Sequence, residues 1–166
     1  MTYNVMFLCT GNSARSLMAE ALLGVLGKGR FVAYSAGSHP SGHVQPLAAE
    51  LAMKLGYPAQ KLRSKSWDEY AGDDAPTMDF IITVCDNAAD ELCPIWPGQP
   101  ISAHWGVPDP TAACGSEEQR RAAFRHAFTT LRGRVERLLA LPLEKLDRLA
   151  RERELRAIAA AGSANA

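Results

Sequence analysis

The first 26 residues constrain the fold more than any other stretch. An apolar, strand-like run over Tyr3–Leu8 passes through Cys9-Thr-Gly-Asn-Ser-Ala-Arg15 straight into a helical pattern over Ser16–Leu26, which Gly27 and Gly29 end. A strand handed directly to a helix is the repeating unit of a parallel sheet with helices on its faces. The unit recurs. Phe31–Ala36 is a second strand closed by Gly37, and Pro46 starts a helix to Leu55 with Gly56 as its stop. Ser66–Tyr70 is a short helix. Met78–Val84 is an apolar run of the kind buried on both faces, and Pro100–His104 is a fourth, weaker strand. After Cys114, Ser116 and Gln119 form a capping box, with Phe124, Phe128, Leu131, Val135 and Leu138 at helical spacing behind it. Pro142 interrupts and starts a last helix, whose small, polar tail Ala159–Ala166 is expected to fray. The expectation is a single α/β domain over 1–141, a four-stranded parallel sheet with helices on both faces, followed by a helical extension over 142–166.

At 166 residues the chain supports one core rather than two, and 47% hydrophobic against 22% charged residues is an ordinary globular balance. A formal net charge of zero argues against a dedicated nucleic-acid or membrane-surface binder. The arginines crowd into residues 117–156 but interleave with acids at helical spacings, which marks a solvated helix face. No apolar stretch has the length of a membrane span, and Met-Thr-Tyr-Asn-Val lacks the basic start of a secretory signal, so a cytoplasmic location is expected. In that reducing setting the four cysteines, at 9, 85, 93 and 114, are thiols rather than structural disulfides.

Ligands of parallel sheets bind beyond the carboxyl ends of the strands. Cys9 and Cys85 each end a predicted strand, and Asp109 lies just past the fourth, so pattern alone brings three reactive side chains to one edge. Between Cys9 and Arg15, a loop this short turns the N–H groups of Thr10, Gly11, Asn12, Ser13 and Ala14 around one point, and the helix start at Ser16 adds its own donors. Gly11 and Asn12 suit left-handed backbone. Arg15 can grip two oxygens of a tetrahedral anion. The same field is expected to lower the pKa of Cys9 and make it a nucleophilic thiolate. Against this stand a buried structural Cys9 and a zinc site from Cys85, Cys93, His104 and Cys114, although no paired C-x2-C spacing supports the metal. Cys114 reads as a bystander, and His104 and Trp105 as structural.

The motif Cys9-Thr-Gly-Asn-Ser-Ala-Arg-Ser16, with Met18-Ala19-Glu20, Tyr34-Ser35-Ala36-Gly37 and Asp109-Pro110, resembles the low-molecular-weight protein tyrosine phosphatases and the arsenate reductases that share their fold, over about residues 3–140. The resemblance implies Cys9 as nucleophile, Asp109 as general acid, Arg15 and the loop amides as oxyanion holders, and Ser16 as a hydrogen-bond donor to the sulfur. Ala14 departs from the many relatives that carry a second cysteine there. Cys85 and Cys93 after the third strand, His104-Trp105-Gly106 before the acid, and Thr111-Ala112-Ala113 in place of tyrosines after it are similar to the reductase branch. That branch implies arsenate as substrate, with phosphate and sulfate as competing anions, and a relay from Cys9 to Cys85 to Cys93. It needs no bound cofactor or metal, only an external reductant: thioredoxin, or glutathione or mycothiol with a glutaredoxin. A phosphatase, and more remotely a thiol-based arsenic or redox sensor, are the alternatives. Asn12, Glu20, Ser35 and Asp68 resemble the monovalent-cation site of some reductases, though Asp68 aligns poorly.

Overall fold

The computed structural model describes residues 2–85 and 96–164. Along the chain run β1 (Tyr3–Cys9), α1 (Arg15–Leu26), β2 (Phe31–Gly37), α2 (Pro46–Leu55), β3 (Phe80–Thr83), β4 (Ile101–His104), α3 (Glu117–Leu139) and α4 (Arg148–Ala164). The strands pair in parallel in the order β2-β1-β3-β4, the four-stranded sheet expected from the alternation of elements. Register levels their carboxyl ends: Cys9 lies opposite Gly37, Leu8 opposite Thr83, and Thr83 opposite His104.

Alternation along β1 divides the core. Val5, Phe7 and Cys9 pack with Met18 and Leu22 of α1, Leu131 and Val135 of α3, and Leu155 and Ile158 of α4. Met6 and Leu8 face the other way, against Met78, Trp96, Trp67 and Tyr70. The helix α2 lies on α1 through Ala52 and Ala21.

Several boundaries differ from expectation for local reasons. β3 starts at Phe80 because Asp79 pairs with Asn4: its carboxylate accepts the Asn4 N–H at 2.8 Å. Trp67–Tyr70 is a 3-10 turn, with the Ser66 hydroxyl accepting the Asp68 N–H at 3.1 Å. The capping box of α3 forms as read, Ser116 Oγ accepting from Gln119 N at 3.2 Å and Gln119 Oε1 from Ser116 N at 2.8 Å. Its surface arginines pair at helical spacing, Arg121 with Glu117 and Arg132 with Glu136. Pro142 does not start the last helix. It opens the 3-10 turn Leu143–Lys145, which drops Leu143 into the core, and α4 begins at Arg148, where the Asp147 carboxylate accepts the Ala150 N–H at 2.8 Å. α4 also continues past Ala159 to Ala164, carried by alanine, the strongest helix former.

Candidate active site

The loop from Cys9 to Arg15 is shaped from outside. Its carbonyls are taken by neighbouring segments: Thr10 O accepts from His39 N at 2.9 Å, Gly11 O from Ser41 N at 3.0 Å and Ser64 Oγ at 2.9 Å, and Ser13 O from Gln45 N at 2.9 Å. In a trans peptide the N–H opposes the C=O, so anchoring carbonyls outward turns amides inward. The helix α1 follows with Ala14 at its N-cap, which supplies no side-chain acceptor, so no cap side chain takes up its first-turn donors. Asn12, at φ 47°, takes the left-handed conformation, whereas Gly11 keeps a negative φ. The glycine that the loop does require is Gly37. A Cβ there would sit 2.5 Å from Thr10 O and 3.1 Å from Asn12 N.

Buried side chains fix the loop further. Asn12 Nδ2 donates to Ser16 Oγ at 2.7 Å and to Ser35 Oγ at 3.0 Å, while its Oδ1 accepts from Lys65 N at 2.9 Å. Ser16 Oγ in turn donates to the Cys9 sulfur at 3.3 Å, as expected of the residue after the arginine. Ser35 Oγ donates to Glu20 Oε1 at 2.6 Å, and Tyr57 donates to the other oxygen of that carboxylate. Burial and then the Glu20 charge push the Tyr57 hydroxyl far above the usual phenol range.

Cys9 and Cys85 are both buried, and their thiols are near enough to interact. The Cys85 sulfur also accepts from Thr10 N at 3.2 Å. The expectation of a depressed Cys9 pKa is corrected by this geometry. The neighbouring Cys85 thiol and then burial raise the Cys9 thiol well above its ordinary value, outweighing the Ser16 hydroxyl and the Asn12 N–H, which pull it down. Two thiols this close behave as a pair, since a charge on one sulfur makes the other hold its proton.

Arg15 and Asp109 meet at the cleft mouth, Nη2 to Oδ2 at 3.6 Å. Arg15 Nη1 donates to Val107 O at 2.9 Å and the buried Arg134 donates to Gly106 O at 3.0 Å, so two guanidiniums peg the segment leading to the acid. Asp109 Oδ1 is tied to its own turn, accepting from Thr111 N at 3.0 Å and Thr111 Oγ1 at 2.7 Å. A cleft of about 840 Å³ is lined by Arg15, Cys85, His104, Asp109 and, from α4, Arg156.

The structure thus gathers Cys9, Arg15, Ser16, Cys85 and Asp109, with the backbone of Thr10 to Ala14. Cys93 lies outside the described residues, as does the rest of 86–95. Cys114 is exposed, its thiol on Ala112 O at 3.6 Å. Among the described residues no three metal-ligating side chains cluster. Asn12, Glu20 and Ser35 do converge, but not on Asp68, which lies in the 3-10 turn. Lys65 meets them instead, and nothing in the sequence marks it, since one lysine in an aperiodic segment carries no signal.

A family model described as low molecular weight phosphotyrosine protein phosphatase matches residues 4–154. The arsenate reductase of Halalkalibacterium halodurans is 34% identical over 131 residues, 79% of this chain and 91% of that one. Among solved structures, an arsenate reductase in the phosphate binding state superposes with a TM-score of 0.67 at 31% identity, covering 84% of this chain and 98% of that chain. The thioredoxin-dependent arsenate reductase of Corynebacterium glutamicum shares the fold, with a TM-score of 0.60 at 24% identity, over 83% of this chain and 60% of that one.

Proposed function

This chain belongs to the low-molecular-weight phosphotyrosine protein phosphatase family, and from that premise we propose that it is an arsenate reductase in which Cys9 and Cys85 supply the two electrons. The observation that carries the reading is the pair of buried thiols at the floor of the anion loop, Cys9 held by Ser16 and Cys85 by the amide of Thr10. Hydrolysis of a phosphate ester uses one thiol. Reduction of arsenic needs two.

Arsenate binds as phosphate would, in the amides of Thr10 to Ala14, the first-turn donors of α1 and the fork of Arg15. The Cys9 thiol gives its proton to an arsenate oxygen and attacks arsenic, with Ser16 steadying the charge on its sulfur. A sulfur–arsenic bond forms, and an arsenate oxygen leaves as water with a proton from Asp109. The Cys85 thiolate then attacks the Cys9 sulfur. The sulfur–sulfur bond forms as the sulfur–arsenic bond breaks, and that bonding pair stays on arsenic, which departs as arsenite. Two thiols have lost two electrons and arsenic has gained them. Cys93 attacks Cys85 in turn, frees Cys9 and leaves a Cys85–Cys93 disulfide for an external dithiol. Thioredoxin is one candidate reductant, and glutathione or mycothiol with a glutaredoxin is the other. Phosphate and sulfate compete for the loop. The chemistry calls for no bound cofactor, and a cytoplasmic setting would keep the thiols reduced.

The test is arsenate-dependent NADPH consumption with each reductant system supplied in turn, with arsenite measured as product. Peptide mapping of the oxidised protein is expected to find Cys85–Cys93. Sustained hydrolysis of an aryl phosphate without any thiol, and no arsenite, would make the protein a phosphatase instead. Oxidation of the thiols in a single event, with no turnover, would make it a sensor.

A further inference from the structure

We propose that the Lys65 ammonium is a built-in cation that holds the anion loop in shape, standing where an exchangeable monovalent cation would otherwise have to sit. Lys65 is only 6% exposed. Its Nζ is 3.0 Å from Arg63 O, 3.2 Å from Ser35 Oγ, 3.5 Å from Asn12 Oδ1 and 3.6 Å from Glu20 Oε1. These oxygens come from the loop, from α1, from β2 and from the segment that bridges to Gly37, so one charge ties four parts of the site together. Burial lowers the lysine's pKa while the Glu20 carboxylate opposes that shift. Neither group is used by the chemistry.

What Lys65 does follows from the direction of each hydrogen bond. Asn12 can present its carbonyl oxygen to Lys65 only by turning its amide nitrogen to Ser16 and Ser35. A Ser16 hydroxyl that accepts from Asn12 has its own proton left for the Cys9 sulfur. The polarity of the chain Lys65 to Asn12 to Ser16 to Cys9 is therefore set at Lys65, first by its backbone N–H at 2.9 Å from Asn12 Oδ1, while the ammonium, 3.5 Å from that oxygen, adds the charge that holds it beside Ser35 Oγ and the Glu20 carboxylate. Lys65 is a positioning residue, and the protein needs no potassium.

The test compares wild type, Lys65→Met and Lys65→Ala in choline and in potassium buffers. It reads arsenate turnover, phosphate affinity by calorimetry, and melting temperature. Wild type is expected to respond to potassium in none of the three. Lys65→Met fills the space without charge and should lose about 10²-fold in turnover, the cost of a small misplacement of a reacting group, with no response to potassium. Lys65→Ala leaves the four oxygens around a gap. Potassium or ammonium should restore its turnover at least tenfold, tighten phosphate binding and raise its melting temperature, because a ligand bound only by the folded state stabilises it. If this variant folds only with one of those cations, the proposal is supported. It is overturned if wild type requires potassium, if Lys65→Met matches wild type, or if neither cation restores Lys65→Ala. Phosphate binding and melting involve no reduction, so a failure here is distinct from a failure of the reductase reading.

Discussion

At the scale of residues, the site is a pair of sulfurs in a cage of donors, and in the proposed reaction the pair sets the chemistry. Cys9→Ser should abolish arsenite formation with the fold intact, because a hydroxyl is a poor nucleophile at neutral pH; substantial residual arsenite would remove Cys9 from the centre of the mechanism. Cys85→Ala removes the largest cause of the raised Cys9 pKa. Its Cys9 should therefore react with iodoacetamide, or absorb as thiolate, from a lower pH than in the wild type. An unchanged onset would mean that burial alone raises the thiol. Cys9, Arg15 and Asp109 were legible because short-range spacing places them, at a strand end, a helix start and next to a proline. The sign of the Cys9 shift was not legible, since it depends on a residue 76 positions away along the chain but adjacent across β1 and β3. Lys65 was hidden for the same reason: its partners are joined only by the tertiary fold.

Elements follow the sequence wherever a local signal decides them. The capping box, the proline at the start of α2 and the left-handed Gly56 at its end all lie where the residues put them. Pro142 misleads because a proline starts a 3-10 turn as readily as a helix, while the competing cap, Asp147, is one acid among many. Asp147→Ala should cost about 1 kcal/mol in urea unfolding, as for an ordinary N-cap; no change would mean that packing alone defines the start of α4. Gly37 belongs to this scale as well, because it lets β2 end against the anion loop. Gly37→Ala puts a methyl 2.5 Å from a backbone oxygen, and backbone cannot swing aside. We expect a loss of about 1–3 kcal/mol from overpacking, together with weaker phosphate affinity, since the carbonyl displaced is that of Thr10. Phosphate binding that survives the full stability loss would show that the loop keeps its shape without this support.

Across the whole molecule, the cleft is finished by the chain's last helix. Trp105, fully buried, packs on Phe7 of β1 with ring centroids 6.2 Å apart and donates its indole N–H to Leu155 O of α4 at 3.0 Å. Leu155 is itself fully buried, and Arg156 beside it lines the cleft opposite Cys85 and Asp109. Trp105 directly precedes the segment that Arg134 and Arg15 peg at Gly106 and Val107, so α4 reaches the acid through one indole. In the sequence, the break at Pro142 sets 142–166 apart as an extension and no long-range contact is visible; in the fold, Leu155 and Ile158 of that segment pack into the core. Leu155→Ala should destabilise the protein by about 2–5 kcal/mol, the range for a buried leucine truncated to alanine. The urea midpoint measures that loss. Arsenate turnover, measured well below the melting temperature, tests the connection to the acid: it should fall while phosphate affinity holds, because hydrogen bonds to residues 39–45 and 64–65 anchor the anion loop. If both fall together, α4 supports the whole edge of the sheet rather than the acid segment. If the midpoint drops and turnover does not, Trp105 is held by Phe7 alone and the last helix is only a cover.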